Sequence, residues 1–131
     1  MPTAQLFIVM ASISGFLAVV LGAFGAHGLK NRLAPDLMDV WHTAVQYQFW
    51  HTLVLLGLGI LLLQGALLQN FQAKYLVASG WLFAAGIVIF CGSLYILCLS
   101  GVRWLGAITP VGGVLWLAAW ACLCYSAFKS A

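Results

Sequence analysis

The sequence predicts an all-α membrane protein: an antiparallel bundle of four transmembrane helices whose second helix starts in the membrane interface. Three observations predict it. Hydrophobic residues make up 65% of the chain and charged residues only 5%, with a mean hydropathy of +1.10, so a water-soluble fold would leave a large apolar surface in water. Four charge-poor stretches follow one another, Met1 to Leu29, Val40 to Ala73, Tyr75 to Val102 and Trp104 to Phe128. Each is long enough to cross a hydrocarbon core about 30 Å thick, which takes roughly 20 apolar residues at about 1.5 Å per residue. The segments between them are too short for a soluble domain, a long linker or a low-complexity tail. All 131 residues therefore read as one transmembrane domain with spans at about 4–27, 40–68, 74–99 and 104–127.

The first span lacks a basic leading segment and is longer than the apolar part of a cleavable signal, so it is expected to stay attached. Ser14, Ala18, Gly22 and Ala26 recur at intervals of four, a seam of small residues along which another helix can approach closely. Gly25 and Gly28 then let the chain leave the helix, which places His27 at the mouth of the bundle beside Lys30 and Arg32.

The second helix begins before the membrane does. Pro35 suits a first helical turn, and Asp36 and Asp39 favour the positive end of the helix dipole. At about 100° per residue, Asp36, Asp39, His42, Thr43 and Gln46 share one arc, with Leu37, Val40, Trp41, Ala44 and Val45 mostly opposite. The first three turns are thus interfacial, and His42 reads as a solvated or headgroup-level histidine. His51 is different, because one turn after Tyr47 and three residues after Gln48 it is too deep for water to reach from the lipid side. It needs a partner, whether it is held for structural reasons or acts on a ligand.

In the third span, Cys91 and Cys98 lie two turns apart, and in the fourth Cys122 and Cys124 point to different sides. Neither pair can bridge locally, so all four read as buried small hydrophobes; without a nearby His or carboxylate the C-x-C pair does not make a metal site. The fourth span enters with "RWLGAITPVGG". Pro110 lacks an N–H and its ring conflicts with the carbonyl of Gly106, while Gly112 and Gly113 loosen the next turn. A kink or a break is expected there, with Thr109 placed to bond back to the freed carbonyl; a break would resemble those that expose backbone to substrates in transporters.

If side A is the face reached by the end of span one, basic residues number three there (Lys30, Arg32, Arg103) and two on side B (Lys74, Lys129). So small a bias does not fix orientation. Polarity is more telling. His27, His42, Gln46, Gln48, His51, Ser93, Tyr95, Thr109, Pro110, Gly112 and Gly113 all fall in the side A half, whereas the other half of span two is plain "LVLLGLGILLL". Lipid-facing polar groups are costly, so this concentration implies a wetted or ligand-filled interior on one side. His51, Ser93, Tyr95 and Thr109 fall at depths of roughly 8 to 15 Å. His51 is therefore expected to point inward and bond to at least one of Tyr47, Ser93, Tyr95 or Thr109. The candidate binding residues are His27, Gln48, His51, Ser93, Tyr95, Thr109, Gly112 and Gly113.

The stretches "SISGFLAVVLGAFGAHGL", "YQFWHTL", "CGSLYILCLS" and "RWLGAITPVGG" resemble, in order and spacing, the signatures of the YgdD/YwdK-like family of small bacterial inner-membrane proteins, the domain of unknown function 423. That family is distantly similar to transmembrane protein 256. The resemblance implies a four-helix, multi-pass protein of the bacterial inner (plasma) membrane. It supplies no established activity, cofactor or catalytic residue.

No carboxylate lies inside a span, and Asp36 and Asp39 look like helix-start residues, so the chain is not read as an enzyme and no cofactor or metal is assigned. Nucleic acid is excluded as a partner because the net charge of +3 is scattered over several loops. The leading expectation is a non-catalytic module in the lipid bilayer that binds a lipid, a small amphiphile or a partner's helix through a polar side A cavity. A homo-oligomer or a membrane partner protein is left open. The alternatives are a small proton-coupled transporter using His51, and a haem- or quinone-binding protein.

Overall fold

The computed structural model describes residues 1–128, without the side chains of residues 66 and 67; Lys129, assigned to side B above, lies outside the described residues. Four long helices carry the chain: α1 (Thr3–Leu29), α2 (Pro35–Leu63), α3 (Ala73–Ser100) and α4 (Arg103–Ala127). Each is apolar and long enough to cross a membrane. At about 1.5 Å per residue, α2 spans roughly 43 Å, well beyond a core about 30 Å thick. Its ends must therefore reach into the headgroups.

The start of α2 shows why. Ala34 is extended, Pro35 occupies the first turn with Asp36 beside it, and Asp36, Asp39, His42 and Gln46 are exposed while Trp41 and Ala44 are buried. The same helix stops earlier than the sequence suggests. Gln64 leaves the helical region, its N–H bonding back to Leu61, and Gly65–Leu68 forms a separate short turn. A span already longer than the bilayer gains nothing from another turn, and the polar Gln64 marks the exit.

The seam on α1 also takes a different path from the one expected. Ala4, Phe7, Ala11, Ala18 and Gly25 are buried, Ser14 and Gly22 are half-buried, and Ala26 is exposed. These positions advance by threes and fours, an average near 3.5, which keeps one face on a neighbouring helix. Strict steps of four drift by about 40° each, so Ala26 turns away and Gly25 takes its place. A Cβ on Gly25 would run into the Trp41 indole, which donates from Nε1 to the Leu21 carbonyl at 2.9 Å. The last turn of α1, Gly25–Leu29, is π-helical, as is Ile87–Cys91 within α3.

Pro110 falls where α4 changes character rather than inside a continuous α-helix. The helix opens with a 3₁₀ turn over Arg103–Ala107 and becomes α-helical at Thr109, with Pro110 in its first turn. Tighter bonds, Ile108 to Leu105 and Val111 to Ile108, each 3.0 Å, stand where the proline ring would otherwise meet the Gly106 carbonyl.

Packing runs in series: α1 on α2, α2 on α3, α3 on α4, with little between α1 and α3. The main core gathers Phe7, Leu55, Leu76, Phe83, Cys91 and Trp116, and a second cluster at side A joins Leu29, Trp41, Leu97 and Cys98. Cys91 and Cys98 are buried as expected, whereas Cys122 is half-buried and Cys124 is exposed, because the outer face of α4 has lipid rather than another helix beside it. Side A is strapped by Arg103 to Asp36 at 3.0 Å. Side B is tied by Gln72, which donates to the Ser126 and Phe128 carbonyls.

Candidate functional site

The polar residues of the side A half sort into separate groups. In the first, α2 presents Gln48 and Thr52 to Ser14 of α1 and Tyr95 of α3. Tyr95 donates its hydroxyl to Gln48 Oε1 at 2.6 Å, and Gln48 Nε2 donates to the Ser14 carbonyl at 3.0 Å and to Ser14 Oγ at 3.3 Å. Ser14 Oγ in turn bonds Thr52 Oγ1 at 2.6 Å. The ladder ties three helices with side-chain bonds whose alternative in hydrocarbon would be unpaired groups.

The second group surrounds His51, which is 8% exposed. Its Nδ1 bonds the Tyr47 backbone carbonyl at 2.7 Å, and its ring lies parallel to the Trp116 indole with centroids 3.6 Å apart. Trp116 is itself fixed, donating from Nε1 to the Phe83 carbonyl at 3.2 Å, in a position that a Cβ on Gly86 would block. Of the four expected partners only Tyr47 bonds His51, through its backbone. Ser93, Tyr95 and Thr109 are engaged elsewhere.

Ser93 and Thr109 form the third group, 2.7 Å apart. Ser93 gives its proton to the Phe90 carbonyl at 2.9 Å, so Thr109 must donate to Ser93. The Leu105 carbonyl, 3.5 Å from Thr109, is too distant to compete, which is why Thr109 locks α4 to α3 rather than bonding back along its own helix. Gly112 seals the same contact, since a Cβ there would strike the Phe90 backbone. His27 is exposed on the π-helical turn, apart from these groups, and Gly113 has open space where a Cβ would stand.

Two grooves flank the central helices. One, about 390 Å³, lies between α1 and α3 over α2 and is walled by Met10, Ile13, Leu17, Ile87, Val88 and Tyr95. Ser14 and Gln48 also reach it, yet its surface is almost wholly apolar because their polar atoms are turned to one another. The expected polar cavity is thus an apolar groove laid over a self-satisfied polar ladder. The other, about 420 Å³, opens between α2 and α4 and is lined by Tyr47, His51, Phe90, Gly113, Trp116 and Trp120.

Ser14, Thr52 and Trp116 were not candidates from the sequence. Ser14 entered only as a small seam residue, although it sits near the middle of α1 as Gln48 does in α2; Trp116 carried no signal beyond being aromatic.

The family described as "Protein of unknown function (DUF423)" matches residues 21–113. The chain belongs to the DUF423 family. It is 42% identical over 125 residues to the UPF0382 membrane protein YwdK of Bacillus subtilis (strain 168), covering 95% of this chain and 98% of that one. A UPF0382 membrane protein of Staphylococcus saprophyticus is 43% identical over 125 residues, with 95% and 98% covered. One of Staphylococcus aureus (strain bovine RF122 / ET3-1) is 41% identical over 127 residues, with 97% and 98% covered. No solved structure matches. This DUF423 chain is a multi-pass bacterial membrane protein whose surroundings are the lipid bilayer, in a family of unknown function. The DUF423 match takes in His27, Gln48, His51, Ser93, Tyr95, Thr109, Gly112 and Gly113 but not Ser14 or Trp116.

Proposed function

We propose that this protein is a non-catalytic membrane module that holds one hydrocarbon chain, from a lipid or a small amphiphile, in the groove between α1 and α3. The observation that carries the reading is the groove itself: about 390 Å³, open to the lipid side, with aliphatic walls over a polar ladder. That volume falls within the range of small-molecule sites, which runs from about 300 to 1,000 Å³. The ladder holds the groove's shape, because Gln48 is anchored to both neighbouring helices at once. Its polar atoms are paired with one another, and neither Asp36 nor Asp39 lines the groove, which supports a structural rather than a catalytic role for the ladder.

Native mass spectrometry of the full chain, released from mild detergent, tests this. The expected result is an adduct of one lipid or amphiphile, lost in Val88→Trp, which places an indole in the groove from an exposed position. A chain that carries no adduct, or one whose adduct survives Val88→Trp, overturns the reading; a mass of two chains instead points to a partner helix in the groove.

A further inference from the structure

We propose that the second groove, between α2 and α4, binds a planar ring carrying a hydroxyl group, the phenol or quinol class of amphiphile, which donates its O–H to Nε2 of His51. The backbone carbonyl of Tyr47 can only accept a hydrogen bond, so Nδ1 of His51, 2.7 Å away, carries a proton. The neutral ring then leaves Nε2 with a bare lone pair. Nε2 has no partner among the described residues, although the residue is 8% exposed. Yet among those residues every fully buried side-chain polar atom does have one. Nε2 therefore retains some exposure, and His51 lines this groove; we infer that Nε2 is the atom it presents there.

The bilayer offers no donor there. His51 lies 16 residues after Pro35, roughly 24 Å along a helix that starts in the interface, and lipid tails cannot donate. An unmet acceptor in hydrocarbon is costly, so the donor has to arrive on a molecule that itself partitions into the membrane. The remaining walls specify its shape. Tyr47, Phe90, Trp116 and Trp120 are aromatic, and such faces favour a flat ring at stacking or edge-to-face distance. Gly113 leaves open space beside them. The site is also rigid: the imidazole lies parallel to Trp116, so it offers its edge rather than its face, and the bond from Trp116 to Phe83 fixes the pair.

The test uses the full chain in phospholipid nanodiscs, labelled with ¹⁵N-histidine, with para-nonylphenol and its methyl ether as probes. The phenol is expected to shift the Nε2 resonance of His51 away from its bare-nitrogen position and leave Nδ1 unchanged, while the ether, which cannot donate, produces no shift. Gly113→Leu, which fills open space, should weaken phenol binding about tenfold, and Val88→Trp in the opposite groove should leave it unaltered. Equal effects of phenol and ether overturn the proposal, as does an Nε2 already hydrogen-bonded by water before any probe is added. So does phenol binding that is indifferent to Gly113→Leu or abolished by Val88→Trp.

Discussion

Replacing Tyr95 by phenylalanine removes one hydroxyl and leaves the ring against Trp41. Its consequence falls on Gln48, whose Oε1 takes its bond from Tyr95 at 2.6 Å. An orphaned buried acceptor costs about 1–3 kcal/mol in general, whereas interhelical bonds in membrane proteins average about 0.6 kcal/mol and reach about 1.7. The lower average reflects side chains that find new partners. Gln48 has little freedom to do so, being 4% exposed and held by two bonds from Nε2 to Ser14. Tyr95→Phe should therefore destabilise by about 1–2 kcal/mol. Gln48→Leu should destabilise comparably, but the double variant should fall short of the sum by about 1 kcal/mol. Reversible unfolding in mixed micelles, followed by tryptophan fluorescence, measures all three. Strict additivity, or a neutral Tyr95→Phe, would show that the ladder does not couple α2 to α3.

The phase of the α1 seam separates two adjacent positions: Gly25→Leu should cost about 1–3 kcal/mol by colliding with Trp41, while Ala26→Leu should be nearly silent in the same unfolding assay. On α2, Gly59→Leu meets Ile8 and the Ala4 carbonyl and should destabilise strongly, whereas Gly57→Leu projects into open space and should leave stability unchanged or raised. Single cysteines at Asp39, His42 and Gln46 should react with a membrane-impermeant maleimide applied from side A, and those at Trp41 and Ala44 should not; uniform protection would remove the interfacial start of α2. Arg103→Ala should give no measurable change in melting temperature, since both members of its ion pair with Asp36 are largely exposed.

The four helices and the helical start of α2 at Pro35 were legible because they depend only on charge spacing, on rise per residue and on helix-start residues. Rotation about each helix axis was not. In water a helix advertises its packed face by contrast with a polar one, but here Phe16, Val88, Leu117 and Trp120 face lipid while Phe7, Leu76, Phe83 and Trp116 face protein, and the two sets are equally apolar. Depth placed His51 with Ser93, Tyr95 and Thr109, yet azimuth sends it to Trp116 on α4 and sends Gln48 to Tyr95. The seam was found and its drift missed for the same reason: spacing of small residues gives a stripe, and only the partner helix decides whether the stripe follows steps of four or of three and a half. The π-helical turns at Gly25–Leu29 and Ile87–Cys91 carry no marker in local composition beyond the glycines of the first.

Serial packing has a consequence for how the protein enters its membrane. Nearly all of what holds α1 lies on α2, and the tightest contacts of α4 are with α3, so the first hairpin can leave the translocation machinery as a closed unit before the second has been synthesised. Ser14, Gln48 and Thr52 are already mutually satisfied at that stage, and only the Gln48 oxygen waits for Tyr95. The late hairpin thus docks onto a surface where the Gln48 oxygen is still unmet, a register mark that a sliding or inverted second half would fail to engage.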